Sequence, residues 1–186
     1  MTTTLDVGFV RSQFPAFEEP SLQGQAFFEN AGGSYSCRQV IDRLHRFYTE
    51  RKVQPYGHYA ASAAGGAEMD EARTRLAALM NVETDELSFG PSTSQNTYVL
   101  AQAFADTLSA GDVVIVTDQD HEANSGAWRR MEARGMEIRE WHVDPESGQL
   151  ELDRLSNLLD ERVKLVCFPH CSNIVGQENP VAEIAA

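Results

Sequence analysis

Three short polar segments of the chain carry the residue types that could do chemistry. They span residues 90–96, 118–122 and 169–173, and each follows a run that predicts a β-strand. Strand runs alternate with helical patterns, which predicts a mainly parallel sheet covered on both faces. Ligands in such sheets bind beyond the carboxyl ends of the strands. The three segments are therefore the candidate ligand-binding segments.

The first segment is a strand-to-helix turn rich in hydroxyl groups, with Ser92, Thr93 and Ser94 in succession. The first N–H groups of a helix have no partners within it, and the positive end of the helix dipole points at the turn. A phosphate could be bound there. The alternative is plain N-capping, for which Ser and Thr are also preferred. The glycine patterns of dinucleotide-binding and P-loop proteins are missing from the sequence.

The second segment places Asp118, Asp120, His121 and Glu122 within five residues. Such residues suggest a metal-dependent hydrolase using Asp118, Asp120 and His121. No second His-rich cluster follows at metal-site spacing, so the favoured interpretation includes no metal. An imidazole can alternatively stack on an aromatic cofactor or act as an acid or base.

The third segment contains His170 and Cys171 and follows Cys167, a grouping that could also suggest a metal. Cys167 lies in a buried-strand pattern, however, where cysteine commonly behaves as a small apolar residue. Ser172 and Asn173 could orient a ligand through side-chain hydrogen bonds, although asparagine is common in turns.

Composition limits the class of protein. The 186 residues are 42% apolar, enough for the core of one domain, and the formal net charge is −13. That charge disfavours binding to nucleic acid or to an anionic membrane surface. No signal peptide is evident, and three cysteines form no disulfide framework, so a reducing, cytoplasmic location is expected.

Periodicity and turn residues predict the elements that position these segments. Residues 1–20 are predicted as an arm with one short helix, and residues 53–66 as a loop. The predicted helices span residues 37–52, 68–80, 93–108, 124–134 and 152–160, with another opened by Pro180. The predicted strands span residues 25–30, 86–89, 112–117, 136–143 and 163–168, of which 113–116 and 165–168 read as central strands buried on both faces.

Taken in order, several segments resemble the class V aminotransferases, especially the cysteine desulfurases and their selenocysteine lyase relatives. The matching segments are Phe27-Phe-Glu-Asn-Ala-Gly32, Phe89-Gly-Pro-Ser-Thr-Ser-Gln95, Gly111-Asp-Val-Val-Ile-Val116, Asp120-His-Glu-Ala-Asn124 and Lys164-Leu-Val-Cys-Phe-Pro-His-Cys-Ser-Asn173. The resemblance runs from about residue 25 onward. It implies the large domain of a fold-type-I transferase that depends on pyridoxal 5′-phosphate (PLP), an α/β domain of three layers.

The resemblance also implies roles for individual residues. Thr93 and Ser94 would bind the PLP phosphate, His121 would stack on the pyridine ring and serve as the catalytic residue, and Asn173 would hydrogen-bond a ring substituent. The substrate side would be lined by Asn30, Ala31 and Gly32. Departures from the family pattern occur at Ser92, Gln95, Asp120 and Glu122, which blur the subfamily.

The family holds PLP as a Schiff base on a lysine. The chain has two lysines, Lys52 and Lys164, and both read as surface charges outside the expected position. We therefore expect residues 21–186 to be the N-terminal part of the PLP-binding domain, truncated before the C-terminal small domain, and inactive alone.

The implied enzyme acts on an amino acid and is dimeric, so we expect a homodimer or association with a C-terminal fragment. The alternatives are a non-catalytic remnant that binds PLP, phosphate or a partner protein, and the metal-dependent hydrolase.

Overall fold

The computed structural model describes residues 4–186, which form two compact units. The first unit ends at Ser88 and the second spans Phe89–Ala186. Among the described residues, none of the helices combines the length and the apolar character required to cross a bilayer.

The first unit is helical. Its α-helices are α1 (Val7–Ser12), α2 (Arg38–Arg46) and α3 (Ala60–Met80), and short 3-10 turns cover Pro15–Phe17, Pro20–Leu22 and Thr84–Glu86. One π-helical turn, Phe47–Arg51, continues α2, so the predicted helix over residues 37–52 is confirmed. Glu68 on α3 accepts a hydrogen bond from Arg46 at 3.1 Å, which ties α3 to α2.

The apolar stripe of α2 stays largely exposed. Its members lose less than two-thirds of their surface, and Tyr48 remains 64% exposed. The stripe comprises Val40, Ile41, Leu44, Phe47 and Tyr48. Exposed apolar surface of this kind is typical of faces that another chain covers.

Three predictions in this part of the chain are wrong. Residues 25–30 and 86–89 form no strand, because no other described strand lies beside them to complete a hydrogen-bonded ladder. The predicted loop over residues 53–66 ends early, since α3 begins at Ala60. Alanines favour the helix there, and Gly66 lets the Tyr56 ring pack so closely that a Cβ atom would lie 2.6 Å from its Cδ1.

The second unit alternates helices with strands. Its helices are α4 (Thr93–Ala105), α5 (Glu122–Arg129), α6 (Leu152–Ser156) and α7 (Val181–Ile184), and its strands are β1 (Val113–Thr117), β2 (Glu137–Trp141) and β3 (Val163–Val166). All three strands are parallel in the order β2-β1-β3, with Val113 opposite both Glu137 and Val163. The predicted parallel α/β sheet is confirmed.

Strand β1 is the centre of this unit because helices cover both of its faces. Val114 and Val116 pack with Ala101 and Ala105 of α4 and Trp128 of α5. On the other face, Val113 and Ile115 pack with Trp141, Leu150 and Leu155, and Ile184 of α7 adds to that cluster. The alternation of the β1 side chains thus builds three layers.

Strand β3 differs from its prediction as a central, fully buried strand. Among the described strands it pairs only with β1, and Val163, Leu165 and Val166 are half-buried. A strand with one neighbour leaves a row of backbone groups unpaired, so the apolar run marks an open sheet edge rather than a covered centre.

Candidate active site

A cavity of about 360 Å³ lies beyond the carboxyl ends of β1 and β3. It joins the three segments selected from the sequence, because Thr93, His121 and Asn173 all line it. The remaining lining residues are Asp120, Ala123, Asn124, Pro169 and Cys171. Ser94 lies elsewhere, in a neighbouring cavity of about 580 Å³ that His121 also lines.

In the turn before α4, one residue caps the helix and the next residue lines the cavity. Ser92 is the N-cap, and its Oγ accepts a hydrogen bond from the Gln95 N–H at 3.2 Å. Thr93 and Ser94 follow in the first turn of the helix, where N–H groups have no acceptor within the helix. Gly90 lets the Asn96 side chain approach closely, since a Cβ atom would lie 1.6 Å from its Oδ1. N-capping therefore accounts for Ser92, whereas Thr93 lines the cavity.

His121 opens α5 as its N-cap. Its Nδ1 atom accepts a hydrogen bond from the Ala123 N–H at 2.9 Å. A nitrogen that accepts carries no proton, so the neutral ring holds its proton on Nε2. The exposed imidazole thus has a fixed tautomer and one exchangeable proton at the cavity.

The carboxylates beside His121 point to different partners. Asp118 accepts from the Val143 N–H at 2.9 Å and lies 2.8 Å from Nδ1 of His142. Asp120 accepts instead from the His121 N–H at 2.8 Å and from Asn124 at 3.1 Å. Within residues 4–186, no three His, Cys, Asp or Glu side chains group as metal ligands. The metal-dependent hydrolase is therefore not supported.

Asn173 lies in a turn whose backbone is held by Ser172. The Ser172 Oγ atom accepts hydrogen bonds from the N–H groups of Ile174 and Val175, each at 3.3 Å, and donates to the Gln119 carbonyl at 3.3 Å. The turn is thereby attached to the end of β1, next to the segment that carries His121.

The two cysteines near the cavity differ in environment. Cys167 packs against the core, and burial, with a smaller contribution from Asp120, raises the pKa of its thiol to about 12. It behaves as a small apolar residue, as predicted. Cys171 is exposed and lines the cavity.

The remaining predicted residues are not among those that line this cavity. Asn30, Ala31 and Gly32 belong to an exposed turn of the first unit, in which Asn30 Oδ1 accepts from Ser34 at 3.0 Å. Lys52 also lies in the first unit. Lys164 is the second residue of β3, and its Nζ donates to the Glu161 carbonyl at 2.9 Å.

Lys164 is directed away from the cavity. Its Nζ is hydrogen-bonded to Glu161, which precedes β3, whereas the cavity lies beyond the end of β3. Arg and Lys side chains are also missing from the cavity lining, as far as residues 4–186 are concerned. An anion bound there would rely on neutral donors beside the Asp120 carboxylate.

Residues that sequence reasoning missed hold these segments together. Gln119 and Asn179 are 7% and 3% exposed and are hydrogen-bonded to each other. Gln119 gives no separate signal in the sequence, because it is one polar residue among several in the 118–122 segment. Asn179 lies 60 residues away from Gln119, so no local pattern links the two.

A model of the family described as aminotransferase class-V matches residues 26–186, and the chain belongs to that family. Curated relatives include the cysteine desulfurases of Serratia proteamaculans strain 568, 34% identical over 182 residues, and of Escherichia coli O8, 32% identical over 186 residues. These alignments cover 95% and 97% of the chain but only 45% and 46% of the relatives, so the chain spans about half their length. The resemblance stated from the sequence is confirmed.

Solved structures show the same fold. The apo cysteine desulfurase of Thermococcus onnurineus NA1 matches 99% of the chain and 45% of its own, with a TM-score of 0.85 and 22% identity. A C-DES mutant with glycine covalently linked to the PLP cofactor matches 98% of the chain and 45% of its own, with a TM-score of 0.72 and 21% identity.

Proposed function

We propose that the second unit supplies the PLP-facing part of the active site of a cysteine desulfurase-like enzyme that acts on an amino acid. One observation carries the proposal: Thr93, His121 and Asn173, which come from three separate segments of the second unit, line one cavity. Membership of the family and the cysteine desulfurase relatives support it.

The residues at the cavity fit a phosphorylated aromatic ligand. The Thr93 hydroxyl and the first N–H groups of α4 offer neutral donors for a phosphate, reinforced by the helix dipole. The exposed His121 imidazole offers a flat face for a ring, and Asn173 offers an amide for a ring substituent. Ser94 would contribute from the adjoining cavity, through the same first turn of α4.

Within this proposal, each side chain has a defined task. PLP, when bound, supplies an electron sink for chemistry at an amino acid. His121 holds or moves a proton at Nε2, because its Nδ1 is engaged by Ala123. Asn30, Ala31 and Gly32 remain proposed for the substrate side. We also propose a cytoplasmic location, which the three free cysteines support.

The chain alone is proposed to bind PLP weakly, without a covalent bond, and to be inactive. The cavity lining contains no lysine in the described part of the chain, and the nearby charge of Asp120 is negative. Catalysis would need the partner part of the enzyme, from a C-terminal fragment or a second subunit.

Equilibrium titration of the full chain with PLP, followed by fluorescence and calorimetry, tests the proposal. We expect saturable binding that Thr93→Val weakens by about tenfold, since charge-assisted hydrogen bonds to phosphate contribute about 1.5–3 kcal/mol. Thr107→Val, just beyond the other end of α4, is the matched control. Equal affinity of both variants, or no saturable binding, would contradict the proposal.

His121→Phe tests the role of the imidazole. A phenyl ring can still stack, so PLP affinity should stay within about threefold. In the enzyme completed by its remaining part, turnover should fall by about a hundredfold or more. Unchanged turnover would reassign His121 to the N-cap role alone.

A further inference from the structure

The Gln119 side chain is a buried polar hub beside the cavity. Its Oε1 atom accepts a hydrogen bond from Asn179 Nδ2 at 2.7 Å, and its Nε2 atom donates to the Gly148 carbonyl at 3.0 Å. Its backbone N–H donates to the Thr117 hydroxyl at 3.1 Å, and its carbonyl accepts from Ser172. The side chain and the backbone of Gln119 thus both form hydrogen bonds to other parts of the second unit.

Each partner of Gln119 belongs to a different part of the second unit. Gly148 lies in the turn that precedes α6, Ser172 begins the Asn173 turn, and Asn179 lies just before α7. The Asn179 amide also donates to the Pro169 carbonyl at 2.7 Å, at the start of the 169–173 segment. Both ends of the chain around Asn173 are therefore attached to the residue two positions before His121.

The hydrogen bonds of Gln119 stabilise the fold more than the same bonds would on the surface. Gln119, Ser172 and Asn179 are all more than nine-tenths buried. In such surroundings the loss of one partner leaves the other unsatisfied, at a cost larger than that of a solvent-exposed bond. The network therefore favours one arrangement of the two turns over others.

We propose that Gln119 is a positioning residue, whose side chain fixes the Asn173 turn against the His121 segment across the cavity. Its target is the ring of the ligand rather than the phosphate, because the phosphate donors lie on α4, whereas the hydrogen bonds of Gln119 go to Thr117, Gly148, Ser172 and Asn179. The ligand part of this inference rests on the proposed function, whereas the positioning itself does not.

The first test needs no ligand. Gln119→Met keeps the length of the side chain but removes both of its hydrogen bonds. Amide hydrogen exchange should become about tenfold faster at Ala123, Ile174 and Val175, since each lost bond corresponds to several-fold in a local equilibrium. Amides of β1 should be unaffected. Gln149→Met, in the same turn as Gly148 but on an exposed residue, is the matched control.

Gln119→Glu guards against a variant that fails to fold. The carboxylate can still accept from Asn179 but presents an oxygen to the Gly148 carbonyl, so the exchange rates should lie between those of the wild type and Gln119→Met. Unchanged exchange at all three amides in either variant, or an equal rise throughout the second unit, would overturn the positioning role.

The second test separates ring from phosphate. Gln119→Met should weaken PLP binding by about fivefold or more and leave the affinity for inorganic phosphate unchanged. Equal loss for both probes would indicate general destabilisation and overturn the ring-specific role. If the wild type binds neither probe, the proposed function fails, and the exchange measurement still decides whether Gln119 positions the two turns.

Discussion

The Arg129 guanidinium contacts both carboxylate oxygens of Glu140, at 2.7 Å from Nε to Oε1 and 3.1 Å from Nη2 to Oε2. This bidentate pair joins α5 to β2, and the hydrogen bond that Arg129 donates to Glu140 is the main cause of the raised pKa of Arg129. Arg129 also donates to the Thr117 carbonyl at 3.3 Å, at the end of β1. The helix that begins at His121 is thereby fixed on the sheet.

Arg129→Met should lower the free energy of unfolding by about 1–3 kcal/mol, because half-buried charged groups lose their partners. Arg75→Met is the control, since the Arg75–Glu71 pair is exposed and should contribute less than about 0.5 kcal/mol. Urea denaturation of both variants measures the difference. Equal effects would show that the Arg129 pair is no stronger than a surface pair.

The cysteines should differ in reactivity toward iodoacetamide at pH 8. Burial raises the pKa of Cys167 to about 12, so its thiol is almost entirely protonated at pH 8, and it is also shielded from the reagent. Exposed Cys171 should react at least about tenfold faster. Saturating PLP should slow the reaction of Cys171, which lines the cavity, and leave the reaction rate of Cys37 in the first unit unchanged. Mass spectrometry of the labelled peptides measures the rate at each cysteine. Equal protection of Cys37 would argue against binding at this cavity.

Asp160 should contribute to acid denaturation. Hydrogen bonds, first from Arg139 and then from the Arg162 backbone, lower its pKa from 3.8 to about 2. A carboxyl with a lowered folded-state pKa stabilises the fold above pH 4, and this contribution is lost as the pH falls toward 2. Asp160→Asn should therefore make stability depend less steeply on pH between 4 and 2. Asp153→Asn is the control, because Asp153 makes no ion pair with any described residue; equal slopes for both variants would contradict the assignment.

Borohydride treatment in the presence of PLP should leave Lys52 and Lys164 without a stoichiometric pyridoxyl group. Lys164 is directed to the Glu161 carbonyl at the opposite end of β3 from the cavity. Peptide mass spectrometry after reduction checks both sites. A full adduct on either lysine would show that this chain has its own covalent anchor.

The chain should associate with itself or with a C-terminal fragment. The open edge of β3 and the exposed apolar stripe of α2 both offer surface that favours another chain. Light scattering and a denaturation curve at micromolar concentration measure this. A monodisperse 20.6 kDa species that unfolds independently of concentration would contradict the prediction.

The sequence predicted the second unit better than the first for a physical reason. The Val113–Val116 run and its flanking helices have strong periodicity and form contacts with near neighbours, so local pattern agrees with the final fold. The strands predicted at residues 25–30 and 86–89 depend on partners that no local pattern can supply. The alanine- and glycine-rich start of α3 has no apolar periodicity, so it read as a loop.

The site shows the same division. His121 and Asn173 follow β1 and β3 and could be found from the sequence, because strand ends gather at one edge of a parallel sheet. Thr93 follows residues 86–89, which form no strand, and its signal is the hydroxyl-rich start of α4. The sequence predicts that Ser94 binds the same phosphate as Thr93, but Ser94 lines a different cavity, because successive residues in a helix point about 100° apart. The Gln119–Asn179 pair spans 60 residues and leaves no periodic signal.

The 60-residue separation of Gln119 and Asn179 also sets the order in which parts of the second unit fold. Strand β2 follows β1 closely in the chain and can pair with it as soon as α5 has formed, whereas β3 and Asn179 are synthesised later. Closing the longest loop costs the most chain entropy, so the Gln119–Asn179 contact should form after the sheet does. During synthesis on the ribosome, His121 would therefore be in place well before the cavity around it exists, and the binding site would mature after the sheet.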